Sequence, residues 1–269
     1  MLVDCHLHTP LCGHATGEPR EYVHAAARKG INLLTFTCHI PMSTDGFGGS
    51  SIRMKAEQLP EYFRMVEMAR MEGSGLGIEV LCGIEAEIFP DGEIMTGMYH
   101  TLDAWPFDVV LGSLHHTQAA YQRWLRENKR TTDSQKIESY FAHLTLAAMS
   151  GRYHTLSHPD VIRIYGTVQH FDPLEHKAAI QLFLETAKTH EVCIEVNTSG
   201  RIKSCKTIHP DPIILDWAAA IGNRLTLGSD SHNPNSVGQF FPETIDLLKN
   251  KGFREVYFFR RGEPVAVEL

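Results

Sequence analysis

The stretch Val3-Asp4-Cys5-His6-Leu7-His8-Thr9-Pro10 carries the pattern from which the rest of the chain is read. A short apolar run ends in two histidines placed two apart, and residues two apart on a strand point the same way. The pattern recurs. Candidate strands fall at Leu2–His6, Leu33–Thr37, Glu79–Ile84, Asp108–Ser113, His154–Ser157, Val192–Val196 and Leu225–Gly228. Between and after them lie amphipathic helical patterns at Pro19–Lys29, Met54–Glu72, Ser134–Ser150, Pro173–His190, Asp211–Ile221 and Phe241–Lys251. Pro19 and Pro173 suit a first helical turn, and Gly30, Gly73, Gly151 and Gly222 are expected to close helices. Alternation carried this far predicts a parallel sheet closed into a barrel, with Glu255–Phe259 and Pro264–Val267 as a terminal hairpin outside it. No linker divides the chain, so residues 1–269 are expected to form a single domain. Met42–Ser51 reads as a loop, and Thr117–Thr132 as a lid or an extra helix.

Composition narrows the function classes. Of 269 residues, 43% are hydrophobic and 21% charged, which excludes a disordered chain. There is no apolar run of membrane-spanning length and no signal peptide at the N-terminus, so a cytoplasmic location is expected. The six cysteines form no CxxC pair and read as reduced thiols. A net charge of −7 argues against a nucleic-acid-coating surface, and self-association is left open. Sixteen histidines are the anomaly.

Their placement is informative. His6 and His8 end the first strand, with His14 a short turn later, and His39 ends the second. Glu85 and Glu87 end the third, His115 and His116 the fourth, and His158 the fifth. Glu195 and Asn197 end the sixth, Asp230 and His232 the seventh. In a barrel these C-terminal strand ends converge on one face. Elsewhere, as at His24, His100, His143, His170, His176, His190 and His209, an ordinary structural histidine is the better account. A mixed imidazole and carboxylate set suits zinc, iron or manganese, and its size implies two or three divalent ions.

These motifs resemble the polymerase-and-histidinol-phosphatase (PHP) family, and within it the monomeric histidinol-phosphate phosphatases. The resemblance rests on H-T-P-L-C-G-H-A at His8–Ala15, H-P-D-V-I-R-I-Y-G at His158–Gly166, E-V-N-T-S-G at Glu195–Gly200 and G-F-R-E-V-Y at Gly252–Tyr257. It implies a distorted (β/α)7 TIM-like barrel and three ion sites. His6, His8, Glu85 and Asp230 would hold one ion; His14, His39 and His232 a second; Glu85, as a bridge, with His115 and His158 a third. It also favours Glu85 over Glu87 and His115 over His116, leaving Glu87 as a supporting or surface carboxylate. Two departures stand out. Cys38 replaces the Asp of the usual T-D-H and is expected to be a buried spectator. Gly200-Arg201-Ile202-Lys203 lacks the Leu that related chains place before Arg.

The implied activity is hydrolysis of a small phosphate ester, L-histidinol phosphate, to histidinol and phosphate. A bound divalent ion lowers the pKa of its water from about 15.7 to about 7, and the hydroxide would attack phosphorus in line with the leaving alcohol. Asp230 and His232 are candidates for proton handling. Arg163 and Arg201 are candidates for the phosphate, and Glu195 and Asn197 for the amine or imidazole of the substrate. The alternatives are a PHP phosphodiesterase or nuclease, disfavoured by the negative charge, and a metal-binding regulator, disfavoured by the filled ligand positions. An amidohydrolase would want a bridging lysine, and no strand end offers one.

Overall fold

The computed structural model describes residues 1–42 and 52–269. Strands β1 (Val3–Leu7), β2 (Leu33–Phe36), β3 (Glu79–Glu87), β4 (Val109–Ser113), β5 (Thr155–Leu156), β6 (Cys193–Asn197) and β7 (Leu225–Gly228) pair in sequence order, all parallel. A parallel bridge between Leu7 and Ser231 brings the end of β7 back to β1, so the sheet is a nearly closed barrel. Asp4 secures that seam. Its buried carboxylate accepts from Ser229 N at 2.9 Å, Ser229 Oγ at 2.5 Å and Gly238 N at 2.9 Å. The expected seven-stranded PHP-type barrel is therefore the observed one.

Helices α1 (Pro19–Lys29), α2 (Leu59–Leu76), α3 (Gly92–Ala104), α4 (Ala119–Glu127), α5 (Asp133–Met149), α6 (Lys177–Thr189), α7 (Pro212–Ile221) and α8 (Phe241–Asn250) surround the sheet. Three differ from the sequence reading. Helix α2 does not stop at Gly73; a Cβ there would stand 2.5 Å from Ile78 O, so glycine permits close packing inside the helix. The stop is Gly77, at φ 71°. Helix α3 was unforeseen, because Gly92 and Gly97 interrupt the apolar stripe and only Met95 and Met98 are buried along it. Its start was nonetheless marked, since Asp91 caps the amides of Glu93 and Ile94 at 3.0 and 3.1 Å. Pro173 lies in the turn before α6, not in its first turn. Helix α4 lies within Thr117–Thr132, and the loop expected at Met42–Ser51 lies outside the described residues except for Met42.

The hairpin of β8 (Glu255–Arg260) and β9 (Glu263–Glu268) packs on the barrel end opposite the strand C-termini. Gly262 N donates to Asp108 O at 2.9 Å, and Phe259 packs with Val109, Leu111 and Cys193. That apolar cluster forms a floor. Each such fully buried aliphatic or aromatic side chain contributes about 1.5–3 kcal/mol. Two residues further along β4 and β6 stand Ser113 and Glu195, so the interior changes from apolar to polar towards the strand C-termini. No helix among the described residues is long and apolar enough to cross a membrane.

Candidate metal centre

Strand period and barrel closure bring the expected side chains to one place. His6 Nε2 and His8 Nε2 stand 3.1 Å apart. Glu85 Oε2 lies 3.6 Å from each of these nitrogens. Asp230 Oδ1 lies 3.7 Å from His6 Nε2 and 3.2 Å from His8 Nε2. Donors at 2.0–2.2 Å around a tetrahedral centre would be separated by about 3.4 Å. The four atoms therefore have the spacing of a ligand set for one ion.

Glu85 faces two ways. Its Oε1 lies 3.3 Å from His115 Nε2 and 3.2 Å from His158 Nε2, while Ser113 Oγ donates to the same oxygen at 2.6 Å. Its Oε2 faces His6 and His8, and also His39 Nδ1 at 2.8 Å. A third group gathers at the rim, where ring centroids of His14 and His232 are 4.3 Å apart and those of His8 and His232 are 4.0 Å apart. His39 is shared, since its ring nitrogen falls into one group with His8 and His232 and another with Glu85 and His115. His116 is elsewhere, its Nδ1 2.7 Å from Thr167 Oγ1.

Ring orientation is imposed from behind. His6 Nδ1 is 2.6 Å from Glu195 Oε1, and His115 Nδ1 is 2.9 Å from Glu87 Oε2. His14 Nδ1 is 3.1 Å from Cys12 O and His232 Nδ1 is 3.0 Å from Asp230 O. Each of these four rings thus presents Nε2 to the cluster, the arrangement by which metal-bound imidazoles are held. Buried His232 Nε2 has no hydrogen-bond partner, and Glu85 Oε2 meets only the ring nitrogens of His6, His8 and His39. An uncompensated buried polar atom costs about 1–3 kcal/mol, and a divalent cation would remove that cost. Imidazole and carboxylate donors, in this spacing and with an unpaired buried nitrogen among them, fit a transition-metal centre.

The electrostatics agree. Burial opposes ionisation of Glu85, but the imidazoles of His39, His115 and His6 hold it well below the usual carboxylate range. Burial likewise opposes Asp230, which Lys203, His6, His8 and His232 hold well below its ordinary value. Burial pushes His39 down to about 3 and His232 down to about 4, which favours the uncharged ring that a metal ion binds. His158 and Asp230 adopt φ of 28° and 52°, strained for residues with a side chain. The amide of His158 is held by Glu195 Oε2 at 2.8 Å, and the carboxylate of Asp230 by Ser199 Oγ at 3.0 Å.

Three expected substrate contacts are otherwise engaged. Glu195 is 1% exposed and sits behind His6, so it supports a ring and is out of a substrate's reach. Asn197 is fully buried, donating to Glu195 Oε2 at 3.1 Å and accepting from Ser199 Oγ at 2.7 Å. Arg163 is turned inward, onto Asp160 Oδ2 at 3.1 Å and Asp211 Oδ2 at 2.9 Å. Period-2 reasoning placed Glu195 and Asn197 on the correct face but could not see that the His6 ring lies over Glu195 and that Asn197 is bonded to Glu195 and Ser199. Arg201 lies near Glu243 and Phe240, 3.8 Å from the carboxylate and 5.5 Å from the ring centroid. Sequence reading missed Lys203, whose Nζ is 3.5 Å from Asp230 Oδ2 and 6.0 Å from the Tyr165 ring centroid. The available signal was its place in the loop after β6, two residues beyond Arg201. Glu87 is buried and paired with Arg53 as well as His115, which makes it a supporting carboxylate.

The family model for the PHP domain matches residues 4–199. The chain belongs to the PHP family. The PHP chain is 34% identical over 263 residues to a Deinococcus radiodurans protein named "Probable histidinol-phosphatase", with 97% of each chain covered. It is 27% identical over 252 residues to the Escherichia coli K12 protein "Probable phosphatase YcdX", covering 91% of this chain and 84% of that one. Among solved structures, this PHP fold is similar to histidinol phosphate phosphatase of Lactococcus lactis, complexed with zinc, L-histidinol and phosphate. The TM-score is 0.81 at 22% identity, with 98% of each chain covered.

Proposed function

We propose that this chain, as a single domain of residues 1–269, is a metal-dependent phosphomonoesterase that hydrolyses L-histidinol phosphate to histidinol and phosphate. The observation that carries the reaction class is Glu85, whose two oxygens face two separate groups of imidazoles. A bridging carboxylate of this kind keeps two cations close enough to act on one phosphate. The substrate rests on the full-length likeness to the Deinococcus protein. Two or three ions fit the donors, with His6, His8, Glu85 and Asp230 holding one, His14, His39 and His232 a second, and Glu85, His115 and His158 a third. Bound zinc, iron or manganese would supply a hydroxide near neutral pH and neutralise phosphate oxygens.

The remaining work falls to the protein. Lys203, in the loop after β6, supplies a cation beside Asp230 that can take a phosphate oxygen; Arg163 is already paired with Asp160 and Asp211. Asp230 Oδ2 accepts from Ser199 and Lys203, so that oxygen can relay a proton while Oδ1 faces the histidines. His232, with its side chain 26% exposed, is the second proton-handling group at the mouth. The six thiols, all unpaired, are consistent with a reducing cytoplasm.

The test is comparative phosphate release. Histidinol phosphate should exceed a nucleotide monophosphate and p-nitrophenyl phosphate in kcat/KM by at least about a hundredfold, roughly 2.7 kcal/mol of discrimination. Equal values across the panel would reduce the reading to a general phosphoesterase.

A further inference from the structure

We infer that Cys12 is a thiolate ligand of the ion held by His14 and His232, so that this position of the centre is a mixed sulfur and nitrogen site. The inference rests on the metal-centre reading above and adds a ligand to it. Cys12 Sγ and ring nitrogens of His14 and His232 all lie within 4.8 Å of one another. Cys12 Sγ also lies within 4.8 Å of a ring nitrogen of His8 and of Cys38 Sγ, so it stands where two groups of donors meet.

The local chain explains why. Residues Pro10–Cys12 form a single 3-10 turn, closed by Cys12 N to Thr9 O at 3.1 Å and Gly13 N to Pro10 O at 2.9 Å. Gly13 at φ 79° then reverses the backbone, so Cys12 points inward with no exposure while its carbonyl orients the His14 ring. One turn therefore presents a sulfur and an imidazole to the same point. Two nitrogens of the histidines around Cys12 lack a hydrogen bond. His232 Nε2 is buried with no hydrogen bond, and so is Nδ1 of His8, a residue with no exposure at all.

Cys38 does not compete for the role. Its sulfur accepts from Thr9 Oγ1 at 3.2 Å and its S–H faces Thr9 O at 3.6 Å, so both contacts tie the thiol to the residue that starts the Cys12 turn. On coordination, the S–H bond of Cys12 breaks, its proton passes to solvent, and a sulfur–metal bond forms. Thiolate softens the site, favouring zinc or ferrous iron over manganese at this position.

Cobalt(II) is the probe. Wild-type protein, stripped with a chelator and reloaded with cobalt, should show intense near-ultraviolet absorption from sulfur-to-cobalt charge transfer. Cys12→Ser should lose that absorption and bind its last cobalt at least about tenfold more weakly, the lower bound for even an indirect ligand support. Cys38→Ser and Cys205→Ser should keep the absorption. In wild-type zinc protein, X-ray absorption should show a sulfur neighbour at about 2.3 Å, a measurement that requires no variant to fold. Cobalt bound with only nitrogen and oxygen character, or absorption that survives Cys12→Ser, overturns the inference and leaves the metal centre standing. Failure of the wild-type chain to bind cobalt at all overturns both.

Discussion

His6 Nδ1 and Glu195 Oε1 lie 2.6 Å apart, and neither residue is more than 1% exposed. A carboxylate therefore holds the first histidine of the centre from inside the barrel. The second oxygen of Glu195 takes the amide of His158, so one side chain sets the geometry of two candidate ligands on different strands. Glu195→Gln keeps the volume and loses the charge. It should fold normally by circular dichroism yet weaken metal binding about 10–100-fold, measured by competition with a chromophoric chelator. Unchanged affinity would return Glu195 to a purely structural part.

Gly228 admits this pairing. A Cβ at 228 would stand 2.5 Å from Glu195 Oε1 and 2.6 Å from His6 Cβ, and neither neighbour has room to retreat. Gly228→Ala should cost about 1–3 kcal/mol of stability from overpacking and should also lower metal content. Thermal unfolding of chelated protein and elemental analysis of loaded protein separate the two effects.

Lys203 and Arg163 should fail in different ways. Lys203→Ala removes the cation beside Asp230 and should raise KM for histidinol phosphate roughly 10–100-fold, the worth of one charged hydrogen bond of about 1.5–3 kcal/mol. Arg163→Ala takes the guanidinium from buried Asp160 and leaves it only His209 and the Asp211 amide, which should cost up to about 3–5 kcal/mol of stability, with little change in KM for protein that remains folded. The measurements are steady-state kinetics and denaturant melts on both variants. A reversed pattern would restore Arg163 as the phosphate contact.

Acid should unfold the protein in part through Asp160. Burial opposes its ionisation, but Arg163 and His209 hold its carboxyl below the ordinary value of 3.8. A carboxyl depressed in the fold stabilises it above the unfolded value, and that contribution is lost as pH falls towards the folded value. In chelated protein, the difference in stability between wild type and Asp160→Asn should be full at pH 6 and shrink below about pH 4. A difference that is constant with pH would contradict this.

Metal removal should abolish turnover. Two or three ions per chain are expected by elemental analysis, and zinc, iron or manganese should restore activity to chelated protein. Asp230→Asn should lower kcat by orders of magnitude with the fold intact, because it removes a ligand charge and a proton acceptor together. Full activity at less than one ion per chain would overturn the proposed centre.

Much of this was legible in the sequence because it obeys local periodicity. Period-2 strands ending in His or carboxylate placed His6, His8, Glu85 and Asp230 on one face, and short apolar runs alternating with helices implied seven parallel strands. Helix α3 was hidden because Gly92 and Gly97 break its stripe, and the end of α2 was misplaced because a glycine can serve packing inside a helix as well as termination.

What the sequence determined by itself was therefore the barrel and the donors around its mouth, since both follow from side-chain direction along a strand. Only the tertiary structure decided which donors face one another and which polar groups lie behind them. Glu195 is covered by His6, Arg163 is drawn inward by Asp160 and Asp211, and Lys203 and Cys12 come forward from loops. Such placements depend on contacts between residues as far apart as His6 and Glu195. The pairing of buried charges is settled by the distances that barrel closure imposes, because a buried charge is costly until its partner is within reach.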